Sequence, residues 1–160
     1  MTSNPFTMCL WFDGRAEEAA DFYLSVFKDG RIGRIGRYTE AGPGPVGEVM
    51  VVEFEINGQR FIGLNGGPQF PFTEAVSFQI PCADEAEADY YYEALTRDGG
   101  QESACGWVKD KFGLSWQVTP TEAIDLISDP DPGRAARAAA AMLRMKKLDV
   151  AEMRRAADAG

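Results

Sequence analysis

The sequence predicts an α+β protein made of two βαβββ modules, in which a strand and a helix are followed by three more strands, with helices at the carboxyl end. Three features support this prediction. A helical segment at residues 17–27 recurs at residues 85–95, a short apolar strand precedes each copy, and further strand-like segments follow each copy. Because neither module could bury its sheet alone, we expect the two sheets to share one curved, half-open barrel.

The two helical copies give the clearest signal. Both contain Ala-Asp followed by two aromatic residues, and the apolar side chains of the first copy fall on one face at helical spacing. Asp13 is the expected N-cap of the first helix. Asp84 and Glu87 have the spacing of a capping box at the start of the second. The apolar face of the first helix comprises Ala16, Ala19, Ala20, Tyr23, Val26 and Phe27.

The strands are expected in two groups of four. Asn57-Gly58 is a strong hairpin signal between two of them. Residues 40–47 contain too much glycine and proline for a strand or a helix, so we expect a flexible hairpin loop there, with a role as a lid left open. The expected strands are residues 8–12, 31–38, 49–56 and 59–65 in the first module and 76–80, 102–105, 107–109 and 114–119 in the second.

Residues 1–120 are expected to form the paired-module domain, with module one at 1–70 and module two at 71–120, and residues 121–160 a C-terminal helical extension. In the extension, Asp131 before Pro132 marks one helix start, and Asp149 with Glu152 marks another. An apolar stripe at helical spacing is expected to cover a sheet face or a partner subunit. The stripe consists of Ala135, Ala138, Met142 and Met145.

Composition excludes several classes of partner. The chain has 25 acidic and 16 basic residues among 160, a formal net charge of −9, so neither nucleic acid nor a membrane surface is expected to bind it. No stretch approaches the ~20 apolar residues of a membrane helix, and residues 1–5 lack the features of a signal peptide. Cys9, Cys82 and Cys105 show no pairing pattern, which favours the reducing cytoplasm.

The chain contains no histidine. Histidine is the usual ligand of catalytic zinc, iron, nickel and copper, and the usual general base near neutral pH. Its absence excludes serine–histidine and cysteine–histidine catalysis, and also any metal site built on a pair of histidines.

Several motifs resemble those of one family. They are Cys9-Leu10-Trp11-Phe12-Asp13-Gly14, Gly42-Pro43-Gly44-Pro45, Leu64-Asn65-Gly66-Gly67-Pro68, Cys105-Gly106-Trp107-Val108-Lys109-Asp110-Lys111 and Ser115-Trp116-Gln117-Val118. These motifs are similar to the PhnB-like branch of the vicinal-oxygen-chelate superfamily, often labelled 3-demethylubiquinone-9 3-methyltransferase. The superfamily includes glyoxalase I, extradiol dioxygenases, and bleomycin- or fosfomycin-resistance proteins. The resemblance implies the glyoxalase/dioxygenase-like fold and, together with the C-terminal stripe, a homodimer, because members commonly pair.

The resemblance also implies where a metal centre would lie. Enzymes of the superfamily hold a divalent metal with His and Glu from the first and last strand of each module. Hydroxyls and amides, which occupy those positions here, are poor ligands for zinc, nickel or iron. We therefore expect no metal and no cofactor. The corresponding residues are Thr7, Asn65, Ser77 and Gln117.

Strand alternation predicts which side chains face the cavity of the barrel. With Leu10, Ile62 and Leu64 assigned to the helix side, their neighbours turn inward. An apolar-walled cavity with a few amides suits a small planar or polar organic ligand, although these amides could instead satisfy one another or bound water. Phe61 and Gly63 are also expected inside. The expected ligand-binding residues are Thr7, Cys9, Trp11, Asn65, Ser77, Gln79, Trp107 and Gln117.

The sequence favours a metal-free small-molecule-binding protein, similar to the resistance proteins that sequester drugs without chemistry. One alternative is a metal-independent enzyme, in which Glu53 would be a catalytic base if burial raised its pKa, although a solvated strand face is the favoured interpretation of that residue. Methyl transfer, the activity in the family label, is doubtful because no nucleotide-binding strand–glycine loop–helix is visible. Another alternative is a regulatory partner protein acting through its C-terminal helices. The sequence leaves the identity of the ligand open.

Overall fold

Both predicted modules form in the computed structural model, which describes residues 6–160. The signal-peptide expectation concerns residues 1–5 and lies outside the described residues. Two compact units divide the chain between Pro71 and Phe72, and the C-terminal helices belong to the second unit. No helix in the described part of the chain is long and apolar enough to cross a membrane.

The first unit is a four-stranded mixed sheet packed on one helix. Its elements are β1 (Met8–Phe12), α1 (Ala16–Val26), β2 (Gly30–Arg37), β3 (Val49–Ile56) and β4 (Gln59–Asn65). The strand order is β1-β4-β3-β2, with β1 parallel to β4 and the other pairs antiparallel. Tyr23 of α1 stacks on Phe54, and Phe54 stacks on Phe61, so aromatic rings form the centre of this core.

The second unit repeats this topology. Its module contains β5 (Ser77–Cys82), α2 (Glu85–Thr96), β6 (Gln101–Glu102), β7 (Trp107–Lys109) and β8 (Ser115–Pro120), with a short 3₁₀ turn at Arg97–Gly99. The strand order β5-β8-β7-β6 is the order of the first sheet, which explains the internal repeat. The predicted α+β fold of two βαβββ modules is confirmed, and each sheet is open rather than closed on itself.

Turn and capping residues account for where several elements begin and end. Asn57 and Gly58 both have positive φ, 48° and 77°, as the predicted hairpin turn requires. The Asp84 carboxylate accepts a hydrogen bond from the Glu87 N–H at 2.9 Å, which confirms the predicted capping. The expected cap at Asp13 is wrong, because α1 begins at Ala16 and its N-cap position is Arg15, two residues after Asp13.

A buried aspartate organises the hairpin between β7 and β8. Asp110 is 2% exposed, and its Oδ1 accepts from the backbone N–H groups of Phe112 and Leu114 at 2.9 and 3.1 Å. Its Oδ2 accepts from the indole N–H of Trp116 at 2.9 Å. One carboxylate thus ties the hairpin turn to a core side chain of β8.

Three helices follow β8 and pack on one another: α3 (Thr121–Ile127), α4 (Pro132–Met142) and α5 (Val150–Asp158). The predicted stripe lies within this cluster, where Ala138 is fully buried and Met142 and Met145 pack against the buried core. Three residues of the stripe, Ala138, Met142 and Met145, therefore pack inside their own unit. The homodimer stays a prediction without this support.

The segment between α4 and α5 joins the helices to the second sheet. The carbonyls of Met145 and Lys146 accept from the N–H groups of Cys105 and Gly106 at 2.8 and 2.6 Å. These bonds attach the helical extension to the loop that leads into β7. They place this segment next to the start of β7.

Candidate functional site

The second sheet has one apolar face and one polar face. Val108, Trp116 and Val118 are buried on the side of α2, and the alternate residues of the same strands lie on the opposite side. We call that opposite side the polar face. Its members are Ser77, Gln79, Trp107, Lys109, Ser115 and Gln117.

Strand register arranges the polar face in two rows. Gln79 pairs with Gln117, and Gln117 pairs with Trp107, so these three form the amide row. Ser77, Ser115 and Lys109 pair in the same way and form the donor row. The Gln117 Nε2 donates to the Ser77 Oγ at 2.8 Å and links the rows.

The amide row combines hydrogen-bonding groups of both kinds with an aromatic wall. An amide offers a carbonyl acceptor and two N–H donors, so Gln117 keeps an acceptor and a donor beyond its bond to Ser77. Trp107 lies directly beside it and supplies a flat apolar surface. The prediction that Ser77, Gln79, Trp107 and Gln117 share one face agrees with this geometry.

The corresponding face of the first sheet is charged. Leu10 and Phe12 are buried on the side of α1, so Thr7, Cys9 and Trp11 lie on the opposite side, as alternation predicted. We call this side the charged face. It contains a cavity of about 280 Å³ whose polar lining comes from Thr7, Arg31, Glu53, Glu55 and Arg60.

The predicted orientation of β4 is wrong, because its side chains face the opposite sides of the sheet from those expected. Gly63 is turned to α1, since a Cβ there would lie 3.1 Å from the Ala16 Cβ, and Phe61 stacks in the core on Phe54. Ile62 and Leu64 therefore occupy the charged face. The apolar character of these two residues suggested the helix side, but a glycine on that side is what lets α1 approach the sheet closely.

Asn65 consequently lies against α1 and β3 and is absent from the charged face. Its Oδ1 accepts from the Ala16 N–H at 2.9 Å, and its Nδ2 donates to the Val49 carbonyl at 3.0 Å. Asn65 thus supplies the cap that Asp13 was expected to give. Both ends of its amide are used in the fold, so Asn65 has no support as a ligand-binding residue of the charged face, although it lines the second cavity described below.

Trp11 is held in place by the segment that follows β4. Its indole N–H donates to the Gly67 carbonyl at 2.7 Å, and its ring meets Phe70 edge-on at 4.9 Å. The ring also occupies the space that a Cβ on Gly66 would need. Trp11 is therefore a fixed wall of the charged face.

Glu53 is unsuited to be a general base. The Arg34 guanidinium donates to its carboxylate at 2.6 Å, and this hydrogen bond holds the pKa of Glu53 below its usual range. A second pair, Arg31 with Glu55, lies beside it at 2.9 Å. A carboxylate that acts as a base near neutral pH needs a raised pKa. The pKa of Glu53 is lowered instead, which is the opposite of the shift expected from the sequence.

The glycine–proline loop encloses a tyrosine. Gly42 and Gly44 pack against the ring of Tyr38, with no room for a Cβ at Gly44, and the Tyr38 hydroxyl donates to the Asn65 carbonyl. Beside this loop lies a second cavity of about 510 Å³, lined in part by Glu17 and Glu48. The loop packs on the ring of Tyr38 within the first unit, and its role as a lid remains untested.

A transition-metal centre does not fit the residues at the family's metal positions. Ser77 and Gln117 are hydrogen-bonded to each other, and Asn65 is turned to α1. Hydroxyls and amides are poor ligands for such ions. Within residues 6–160, no three His, Cys, Asp or Glu side chains are grouped so as to hold a metal ion. The metal-free state itself stays a prediction.

The predicted ligand-binding residues did not include two residues of the polar face, Lys109 and Ser115. Lys109 and Ser115 follow from the same alternation that identified Trp107 and Gln117, two residues away in each strand. Strand alternation alone could have identified both residues, although neither occupies a position that corresponds to a metal ligand of the superfamily. The arginines of the charged face, Arg31, Arg34 and Arg60, were also missed as partners for Glu53 and Glu55.

Two βαβββ modules with these strand orders define a protein of the glyoxalase fold, the vicinal-oxygen-chelate superfamily. The chain belongs to the 3-demethylubiquinone-9 3-methyltransferase family, whose sequence profile matches residues 4–119. The helices α3–α5 lie beyond this match. A comparison with curated proteins found no match.

Solved structures agree with this assignment. A putative 3-demethylubiquinone-9 3-methyltransferase, the PhnB protein from Bacillus cereus, is 36% identical, with 71% of this chain and 97% of that chain covered and a TM-score of 0.63. Protein PA1353 from Pseudomonas aeruginosa is 20% identical, with coverage of 71% and 95% and a TM-score of 0.57. The fosfomycin resistance protein FosX from Listeria monocytogenes is 16% identical, with coverage of 72% and 89% and a TM-score of 0.51, which shows the fold alone.

Proposed function

We propose that this chain binds a small polar organic molecule on the polar face of its second sheet, without a metal ion. The observation that carries the proposal is the amide row, in which Gln79, Gln117 and Trp107 stand side by side. Such a row can hydrogen-bond a carbonyl, hydroxyl or amide of a ligand while the indole covers its flat surface. Neutral donors replace the superfamily's metal ligands at this place.

Other functions have less support. Methyl transfer, named in the family label, needs a bound methyl donor. Within residues 6–160 no strand is followed by a glycine-rich loop that opens a helix, since the turn between β1 and α1 has the single glycine Gly14. A metal-independent enzyme using Glu53 conflicts with the ion pair that keeps this carboxylate ionised. A regulatory partner protein acting through the C-terminal helices has less support, because much of their apolar stripe packs inside its own unit.

We also propose that the protein works in the cytoplasm. Its three cysteines are all free. Burial raises the pKa of the Cys82 thiol to about 11, so that thiol is inert at neutral pH. Free cysteines are typical of a reducing compartment. The proposed partner is a small organic ligand; the acidic charge argues against nucleic acid and membrane surfaces, and a homodimer remains part of the proposal.

Native mass spectrometry after incubation with a pool of small polar metabolites tests this function. We expect retention of one organic molecule by protein treated with EDTA, because no metal is needed to hold it. Elemental analysis after exposure to Zn²⁺, Ni²⁺ and Mn²⁺ should find no stoichiometric ion. One tightly held ion per chain, or an organic adduct that disappears with EDTA, would contradict the proposal.

A further inference from the structure

The donor row presents three hydrogen-bond donors across adjacent strands. Ser77 of β5, Ser115 of β8 and Lys109 of β7 are direct neighbours in register, at spacings of about 5 Å set by the separation of strands. The Ser77 hydroxyl accepts from Gln117 and keeps its own hydrogen to donate. The row therefore offers two hydroxyls and one ammonium group side by side.

The central hydroxyl of the row has no partner. Ser115 is 1% exposed, and its Oγ makes no hydrogen bond among the described residues. Buried polar atoms in proteins nearly always have a partner, and an exception calls for an explanation. A ligand atom that accepts from Ser115 would provide one.

Lys109 forms an ion pair with a carboxylate that a ligand could replace. Its ammonium pairs with the carboxylate of Glu74, which lies in the segment leading to β5, so the pair spans the start of β8 where Ser115 lies. The Glu74 side chain is 60% exposed and that of Lys109 31%. Ion pairs between solvent-exposed side chains contribute little to stability, so a competing carboxylate can replace Glu74 at low cost.

We propose that the molecule bound on the polar face carries a carboxylate, which replaces Glu74 at Lys109 and accepts from the hydroxyls of Ser115 and Ser77. This inference rests on the proposed function, since it names the class of ligand for the same face. Glu74 is itself a carboxylate, so the place beside Lys109 already accommodates one. The remainder of the ligand is planar and lies over the amide row beside Trp107.

Benzoate and its neutral counterpart benzamide separate the charge of the ligand from its shape. In a titration followed by NMR, benzoate is expected to bind the parent protein more tightly than benzamide does. Lys109→Met should weaken benzoate at least about tenfold, as expected for a lost charge-assisted contact, and leave benzamide unchanged. Glu74→Gln should strengthen benzoate up to about fivefold, because the competing carboxylate is gone.

Lys111→Met is the matched control, since it removes a lysine from the same hairpin outside the donor row. It should leave both affinities unchanged, and thermal unfolding should show that all three variants fold. Equal benzoate affinity in the parent and Lys109→Met overturns the inference. The inference is also overturned if benzamide shifts the Gln117 amide signals and benzoate leaves them unchanged. That outcome leaves the proposed function standing. Failure of both compounds to shift those signals contradicts both proposals.

Discussion

Replacing Asp110 with alanine is expected to lower the free energy of unfolding of the second unit by about 3–4 kcal/mol, because three donors lose a charged acceptor at once. Two of these donors are backbone N–H groups of the β7–β8 hairpin, and the third is the indole of Trp116. The site is buried, so water cannot easily replace the carboxylate. Urea unfolding at neutral pH, followed by tryptophan fluorescence, measures the loss.

Asp110→Asn is the matched control for this prediction. Its side-chain carbonyl can still accept from Phe112 and Leu114, but its amide group would face the Trp116 N–H, which is also a donor. We expect it to lose roughly half as much stability as Asp110→Ala. A change below about 1 kcal/mol in Asp110→Ala, a typical value for one ordinary hydrogen bond, would show that the hairpin does not depend on this carboxylate.

Replacing Asn65 with leucine is expected to destabilise the first unit by about 2 kcal/mol, because two backbone groups lose their partners. The Ala16 N–H is one of the groups that a helix leaves unpaired at its start, and the Val49 carbonyl belongs to a strand of the sheet. Leucine keeps the branched shape and the number of heavy atoms of asparagine but removes both hydrogen-bonding groups. Chemical denaturation of the parent and the variant gives the difference directly.

Asn65→Asp serves as the control, since a carboxylate can still accept from Ala16 and suits the positive end of α1. It should lose less stability than the leucine variant. Ligand retention on the polar face should be the same in both variants and the parent. A fully stable Asn65→Leu that no longer retains ligand would return Asn65 to the binding site.

The sequence was informative about architecture because periodicity reports burial on one face of each element. The repeat at residues 17–27 and 85–95 and the turn at Asn57-Gly58 are local signals, and the structure contains the elements they predict. Capping of α1 is a different case. Its partner Asn65 lies 49 residues from Ala16, so the local pattern favoured Asp13.

The face of β4 was misjudged because hydrophobicity alone does not identify the core side of a short strand. Ile62 and Leu64 looked like core residues, whereas the core side carries Phe61 and Gly63. The candidate site was predicted only in part. Strand alternation predicts that Gln79 and Gln117 lie on the same face. The pairing of Lys109 with Glu74 could not be predicted in this way, because Glu74 lies before β5 in a segment without a repeating hydrophobic pattern.

NMR of side-chain amides in EDTA-treated protein tests most directly whether an organic ligand binds the amide row without a metal. On addition of the retained metabolite, we expect shifts of the Gln79 and Gln117 amide signals and of the Trp107 indole N–H. Gln117→Leu should weaken binding about 5- to 150-fold, the equivalent of roughly 1–3 kcal/mol for a lost partner, while Gln101→Leu on β6 should not. Shifts centred on Trp11 instead, equal binding by Gln117→Leu, or binding that appears only with added metal would contradict the account.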